Sequence, residues 1–291
     1  MFFTKSKMIL ILCICLFAIN LYAQNQKTLV ILHTNDTHSH IEPLSSNDPE
    51  YPDKGGIVRR ANFIEQVRKE YSNVLVLQSG DIVQGTPYYN LFHGEAEIRT
   101  MNAMGYDAIC LGNHEFDRGL EGVADIIKWA KFPVIATNYD FRGTILSGKI
   151  KKYCVIKING LKIGIIGIGI NPEGIMSRSN YAGMKYLDPV ECASRTATFL
   201  KEDEKCDLVI CLSHLGYYNK EENRTGDLEL ASGTRNVDVI IGGHTHLFMK
   251  EPVRVRDVDG QEVIISQMGS KGVYMGRMDI LFHSKDKTRN N

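Results

Sequence analysis

The sequence carries no excess of either charge, since 34 basic and 34 acidic side chains give a formal net charge of zero over 291 residues. Proteins that bind nucleic acids or anionic membranes need surplus Lys and Arg to displace counterions from phosphate groups. The balance therefore argues against nucleic acid and against a membrane surface as partners. Repeats at solenoid spacing and low-complexity stretches are also absent, which excludes a repeat architecture and a mainly disordered chain.

Cysteine is scarce, and its seven copies include no CxxC pair. Beyond the amino-terminal region five cysteines are left, and neither their odd number nor their spacing allows a disulfide pairing to be deduced. Cys110, Cys154 and Cys211 lie inside apolar runs. We therefore expect these thiols to be buried and to act as small apolar side chains.

The sequence has no apolar run of the length needed to span a bilayer, which takes about 20 residues. A shorter run from Met8 to Ile19 follows a lysine-containing segment and precedes a small residue at Ala23. This order of charged, apolar and small residues is typical of a cleaved secretory signal peptide. We expect a signal peptide at residues 1–23, a single mature domain at 24–291, export to the periplasm or the medium, and no stable membrane anchor.

Five short runs of Val, Ile and Leu each end in polar residues. The runs are residues 28–32, 74–77, 108–111, 208–212 and 237–241. Short β-branched and apolar runs bounded by turn residues predict buried strands. The polar residues follow at the carboxyl ends of these strands, where α/β proteins place ligands and catalytic groups.

Helical patterns and hairpins fill the rest of the chain. Residues 57–71, 120–130 and 189–200 place apolar side chains on one face at helical spacing. Asn159-Gly160 and Asp259-Gly260 each separate two strand-like runs, which is a strong hairpin signal, and residues 275–282 resemble a last strand. This mixture predicts an α/β protein in which two sheets face each other between layers of helices.

The polar residues at the strand ends form a set of oxygen and nitrogen donors. The set comprises Asp36, His38, Asp81, Asn113, His214, His244 and His246. Imidazole and carboxylate together suit Zn, Mn, Fe or similar divalent ions, and the absence of thiolate excludes a zinc finger. Each residue alone is more typical of a structural turn, but seven donors together predict two ions that share a carboxylate.

The blocks that carry these donors resemble, in order, those of the calcineurin-like metallophosphoesterase superfamily. The strings HTNDTHSH, GNHEFD and GGHTH, preceded by a signal peptide, resemble the 5'-nucleotidase and 2',3'-cyclic-nucleotide phosphodiesterase family in particular. The match runs from His33 to Gly276. The resemblance implies a four-layer α/β/β/α sandwich of two mixed sheets, two divalent metal ions as cofactors, and a small phosphorylated substrate such as a nucleotide.

The resemblance also implies a role for each residue. Asp36, His38 and His246 would hold the first ion, Asn113, His214 and His244 the second, and Asp81 would bridge both. A water or hydroxide between the ions would attack phosphorus in line. His114 would stabilise the transition state or protonate the leaving oxygen, and Asp117 would orient its imidazole and raise its pKa.

Two features depart from the nucleotidase pattern. In that family a carboxy-terminal domain supplies arginines for the phosphate and stacked aromatics for the base, and the 291 residues end after the metallophosphatase part. His246 also stands where nucleotidase relatives often carry Asn or Gln, although histidine matches the wider superfamily. Both departures weaken the nucleotidase interpretation, and the sequence leaves open whether a separate substrate-binding chain is required.

Three hypotheses stay open at this point. The chain is a nucleotidase whose substrate domain is a separate chain or lost, or a lone domain that hydrolyses cyclic nucleotides or other small phosphoesters, or a non-catalytic metal-bound subunit. The pair His114–Asp117 favours an enzyme, because a scaffold has no use for it. A related thiosulfohydrolase branch has similar motifs, but nothing in the sequence indicates a sulfur-linked carrier.

The remaining histidines and two tyrosines are placed outside the predicted site. We predict structural roles for His33 and His40 and surface positions for His93 and His283. The tyrosine pair at 217–218 follows the His214 block and could contact a base, but solvent-facing tyrosines are common enough that it is not assigned.

Overall fold

The computed structural model describes residues 26–218 and 224–283. The predicted signal peptide at 1–23 and the polar end from Lys285 to Asn291 lie outside the described residues. Within the described ranges, no helix combines the length and apolar character that crossing a membrane requires.

The first of two large sheets has five strands, with strands and helices numbered here in chain order. In spatial order they are β13 (Gly276–His283), β1 (Gln26–Thr34), β2 (Val74–Ser79), β3 (Ala108–Cys110) and β4 (Val134–Ile135). Strands β1 to β4 are parallel, whereas β13 is antiparallel to β1 and pairs Gly276 with His33. The start of β13 therefore lies at the carboxyl end of β1.

The second sheet has six strands. In spatial order they are β11 (Val253–Arg256), β12 (Glu262–Ser266), β10 (Val239–Ile241), β9 (Leu208–His214), β7 (Leu161–Gly169) and β6 (Tyr153–Ile158). The four inner strands are parallel and both edge strands are antiparallel, so the two predicted hairpins are confirmed. Two short strands, β5 (Tyr139–Asp140) and β8 (Lys185–Tyr186), pair separately.

Six α-helices connect the strands of the described chain. They are α1 (Ile57–Glu70), α2 (Pro87–Phe92), α3 (Glu95–Met104), α4 (Gly119–Ile127), α5 (Pro189–Glu202) and α6 (Asp227–Gly233). The three predicted helices are confirmed, although α4 ends at Ile127 rather than at residue 130. Helix α5 starts where the sequence dictates, because Asp188 accepts a hydrogen bond from the Glu191 N–H at 2.7 Å and Pro189 fixes the first helical residue.

Apolar side chains fill three layers of core. Ile31 and Leu77 of the first sheet pack against Ile165 and Ile210 of the second, and each is buried. Separate clusters bury the outer face of the first sheet under α1, α3 and α4 and that of the second under α5 and α6. Each buried Ile or Leu contributes about 1.5–3 kcal/mol. The predicted α/β/β/α sandwich of two mixed sheets is therefore confirmed.

The cysteines of the described chain are all buried and none forms a disulfide. Cys110, Cys154 and Cys211 lie within the apolar cores, as the sequence predicts. Burial raises the pKa of the Cys110 and Cys211 thiols well above the usual value, so these groups stay uncharged.

Candidate metal centre

The carboxyl ends of parallel strands from both sheets meet at one end of the sandwich. The end of β9 and the loops after β1, β2, β3 and β10 bring together there the predicted donors Asp36, His38, Asp81, Asn113, His214, His244 and His246. Six of them form two groups, Asp36 with His38 and His246, and Asp81 with His214 and His244, whose ligand atoms lie within 4.8 Å of one another. Each group combines residues from both sheets.

The first group converges on a carboxylate oxygen. Asp36 Oδ1 lies 3.3 Å from His246 Nε2 and 4.0 Å from His38 Nε2, and the two Nε2 atoms lie 3.0 Å apart. Asp36 is fully buried, whereas the His246 side chain is 45% exposed, so the group opens to solvent on one side. Two imidazole nitrogens turned toward one carboxylate oxygen are a donor arrangement suited to a divalent cation.

The second group is more deeply buried. His214 Nε2 lies 3.0 Å from Asp81 Oδ2, and His244 Nδ1 lies 2.9 Å from Asn113 Oδ1. His214 Nδ1 lies 2.8 Å from the Ser79 carbonyl oxygen and donates its N–H there, so Nε2 faces Asp81. Burial lowers the pKa of His214, but the neighbouring carboxylates of Asp81 and Asp36 outweigh it and raise the pKa to about 10. Burial lowers the pKa of His244 to about 4, which keeps that imidazole neutral as ligation requires.

Five of the seven donor residues have a left-handed backbone. Their φ angles are 48° at Asp36, 47° at His38, 49° at Asp81, 71° at His244 and 54° at His246. Such a conformation bends the chain sharply just past a strand end, so that residues two apart can face the same centre. Aspartate and histidine are enriched among non-glycine residues there, whereas β-branched residues are rare.

Glycines allow the loops to approach one another closely. A Cβ on Gly112 would lie 2.3 Å from Asp81 Oδ1, and a Cβ on Gly243 would lie 2.5 Å from the Ser79 carbonyl oxygen. Both distances are shorter than any real contact, so a side chain at either position would displace a donor loop. The glycines of the GNHEFD and GGHTH strings are therefore required by packing around the centre.

Glu115 ties two donor loops together, a role that the sequence does not reveal. Its carboxylate is fully buried and accepts the backbone N–H groups of Asp81, Ile82 and Gly112 at 3.0, 2.7 and 2.6 Å, with that of Val83 at 3.4 Å. Burial raises the pKa of Glu115 to about 7. Because both oxygens face N–H donors, the ionised form fits this site.

Replacing Glu115 by Gln is expected to lower the free energy of unfolding by about 2–4 kcal/mol, because the amide NH2 would face N–H donors that then lack an acceptor. Urea denaturation measures the change, and metal content should fall with it because the Asp81 loop loses its support. The exposed Glu70 on α1 provides the matched control, Glu70→Gln. A loss below about 0.5 kcal/mol, the size of an ordinary surface change, would contradict this role.

Two further buried side chains brace the donor loops. Asn35 donates to Asp36 Oδ2 at 2.6 Å and accepts the Met268 N–H at 2.8 Å. Gln267 accepts the Leu247 N–H at 2.5 Å and donates to the Gly243 carbonyl oxygen at 2.8 Å. The loop after β12 therefore fixes donor loops from both sheets.

His114 lies beside the first donor group. Its ring contacts that of His38 edge-on with centroids 5.4 Å apart, and its backbone N–H donates to Asp81 Oδ1 at 2.9 Å. Its Nδ1 lies 2.9 Å from Asp117 Oδ2, and this hydrogen bond raises the pKa of His114 against the opposing effect of burial. The predicted pairing of His114 with Asp117 is present.

The remaining histidines occupy varied surroundings. His33 is fully buried, and burial lowers its pKa to about 4. His40 Nδ1 lies 2.8 Å from the His38 carbonyl oxygen, so it bonds within its own loop. His93 is exposed at the end of α2, as predicted, whereas the side chain of His283 lies outside the described part. Tyr218 is 47% exposed.

A family model for calcineurin-like phosphoesterases matches residues 29–248. The chain belongs to the calcineurin-like phosphoesterase family. The matched range contains all seven donors together with His114 and Asp117. Members of this family are metal-dependent hydrolases of phosphoric esters. The predicted superfamily is thereby confirmed.

This calcineurin-like phosphoesterase is similar to several 5'-nucleotidases. The snake venom 5'-nucleotidase of Gloydius brevicauda is 34% identical over 277 residues, which cover 88% of this chain and 46% of that protein. The structure of the 5'-nucleotidase precursor from Thermus thermophilus is 33% identical with a TM-score of 0.80, covering 89% of this chain and 52% of that one.

A second solved structure has nearly the same extent as this phosphoesterase. The calcineurin-like phosphoesterase YfkN from Bacillus subtilis is 27% identical with a TM-score of 0.73, covering 90% of this chain and 87% of that chain. By contrast, the chain spans about half the length of the first curated relatives that it matches, from 46% to 51%.

Proposed function

We propose that this phosphoesterase is an exported, dinuclear-metal hydrolase of nucleotide phosphoesters. The observation that carries the proposal is the pair of adjacent donor groups, each drawn from both sheets, with the His114–Asp117 pair beside them. Support for a nucleotide substrate comes from the 5'-nucleotidase relatives. Support for export comes from the signal-peptide pattern of residues 1–23, which would place the enzyme outside the cytoplasm.

The residues present fit two divalent ions. His214 Nε2 is buried without a well-aligned hydrogen bond, and the Nε2 atoms of His38 and His246 face each other, so these nitrogens are available as ligands. We assign Asp36, His38 and His246 to the first ion, Asn113, His214 and His244 to the second, and Asp81 to both. When bound, the ions would lower the pKa of water and neutralise charge on the phosphoryl oxygens.

The chain's own residues supply proton transfer and orientation. Asp117 holds Nδ1 of His114, so that Nε2 is the atom that gives a proton to the leaving oxygen or donates a hydrogen bond to the phosphoryl group. The raised pKa of His114 favours the protonated ring needed for either role.

The test is phosphate release from AMP by the purified mature chain with added Mn or Zn. Bis(p-nitrophenyl) phosphate, a simple diester, is assayed in parallel, and a chelated sample serves as the control. Metal-dependent release from AMP would support a nucleotidase. Metal-dependent cleavage of the diester without release from AMP would contradict that substrate and favour a phosphodiesterase. Inactivity on both esters would contradict the proposed enzyme.

Removing metal is expected to lower the Tm of the chain. Ions that bind only the folded protein stabilise it by RT ln(1 + [L]/Kd), about 2.7 kcal/mol at a concentration 100 times Kd. Here each ion would join the two sheets, because each donor group takes residues from both. Thermal unfolding measured after chelation, and again after Mn or Zn is restored, checks the effect. An unchanged Tm in all three samples would contradict ion binding at this centre.

A further inference from the structure

Three aromatic residues form a partly exposed cluster, here called the aromatic platform: Tyr51, Phe248 and Tyr274. Phe248 and Tyr274 stack with ring centroids 4.3 Å apart and planes inclined by 30°. Tyr51 meets Tyr274 edge-on with centroids 5.7 Å apart. Phe248 is 43% exposed and Tyr274 is 39% exposed. The platform therefore presents preformed aromatic surface to solvent.

The chain connections place the aromatic platform next to the metal centre. Phe248 follows the donor His246 by two residues in the same loop. Tyr274 lies in the loop between β12 and β13, where the Lys271 N–H donates to the Asp36 carbonyl oxygen at 2.7 Å. Both rings are thus carried by segments that also hold residues of the first donor group.

The strand register supports the same placement. Gly276, two residues after Tyr274, lies opposite His33 at the carboxyl end of β1. Phe248 bridges to Met268, two residues beyond the carboxyl end of β12. The segments that carry the platform therefore lie at the end of the sandwich where the donors meet.

A groove of about 450 Å³ begins at the platform. This volume falls in the range of about 300–1,000 Å³ typical of small-molecule sites. Phe248, Met268 and Tyr274 line it together with the cations Lys250 and Arg254. Arg254 pairs with Glu262, whereas Lys250 is exposed and makes no ion pair with the described residues. The lining also includes Ile264 of β12 and Met278 of β13, so the groove leads from the platform along these strands and adds apolar surface beside the two rings.

We propose that the aromatic platform binds the planar base of a nucleotide whose phosphate occupies the metal centre. The inference rests on the function proposed above and names the residues that would bind the base. Stacking on aromatic side chains accepts any base, since every base has a π face. The platform would therefore recognise nucleosides as a class, and this domain would contribute base contacts of its own.

The experiment compares AMP with ribose 5-phosphate, which is the same kind of phosphate monoester without the base. Kinetics are measured for the wild type, Phe248→Ala, Tyr274→Ala and Phe248→Trp. Phe199→Ala serves as the matched control. Phe199 lies on helix α5 in the outer layer, is 37% exposed, and contacts another ring, that of Tyr153 on β6. Metal content is measured for every variant.

Both alanine variants are expected to raise KM for AMP about tenfold, the loss of one base–aromatic contact, and to leave KM for ribose 5-phosphate unchanged. Phe248→Trp should keep the affinity for AMP, and Phe199→Ala should change neither ester. Equal losses on both esters, or no loss on AMP, would overturn the platform's role and leave the proposed function intact. A wild type that hydrolyses neither ester would overturn the proposed function and this inference with it.

Discussion

Replacing His114 by Ala is expected to lower kcat by about 10²–10⁴-fold, the usual contribution of a positioned acid or base, while both ions stay bound. The structure separates the effect on turnover from any effect on metal binding. The His114 ring contacts His38 and is held by Asp117, but its side chain belongs to neither donor group. Its backbone N–H, which supports Asp81 Oδ1, is retained in the variant.

Phosphate release and metal content measured on the same samples check this expectation. His93→Ala is the matched control, because His93 is exposed and outside the centre. Asp117→Asn should cost less than His114→Ala, since the amide oxygen still accepts the hydrogen bond although the charge is lost. Unchanged turnover in His114→Ala would exclude a catalytic role and favour a non-catalytic metal-bound subunit.

Replacing Asp81 by Asn is expected to have the larger effect, with at most one ion retained and activity lowered by more than the 10–100-fold typical of residues that only orient a ligand. Asp81 is almost fully buried and lies 3.0 Å from His214 Nε2. Burial alone would raise the pKa of Asp81, but the attraction of His214 outweighs it and keeps the carboxyl ionised. Asparagine has nearly the same shape and removes the charge that two cations would share.

Elemental analysis and activity after dialysis against metal-containing buffer provide the measurement. Asp257→Asn is the control, because Asp257 is also a buried carboxylate but accepts N–H groups of the turn between β11 and β12. Two tightly bound ions in Asp81→Asn would show that this carboxylate does not bridge the metals. Loss of metal in Asp257→Asn would show that general destabilisation, rather than ligation, explains the effect.

The elements predicted from the sequence are those with a clear period or a clear turn. Helix α1 shows an apolar face and follows two glycines, and the hairpin at Asn159-Gly160 joins two long apolar runs. Helices α2 and α3 are not predicted, because α2 has only six residues, too few to show a helical period, and Gly94 separates it from α3. The strands β4, β5 and β8 have two residues each, which is too short for any pattern.

The donors were predictable as a set because each lies directly after an apolar run. Their division into two groups depends on which strands are neighbours, and from the sequence it follows only from the family resemblance. The bracing residues were not predictable at all. Glu115 binds N–H groups up to 34 residues away, and Asn35 accepts one 233 residues away. Almost any residue type can supply a backbone N–H group, so these contacts cannot be predicted from the sequence.

The left-handed backbone at five donor positions lowers the stability of the metal-free fold, and the same residues are needed to bind the ions. A non-glycine residue held in that conformation costs about 1–3 kcal/mol, and here the cost recurs in the loops that carry Asp36, His38, Asp81, His244 and His246. Glycine at any of them would relax its loop and remove a ligand. Selection for thermal tolerance alone in metal-free medium should therefore replace these donor residues first. A stabilised form that keeps its activity will need selection for turnover at the same time.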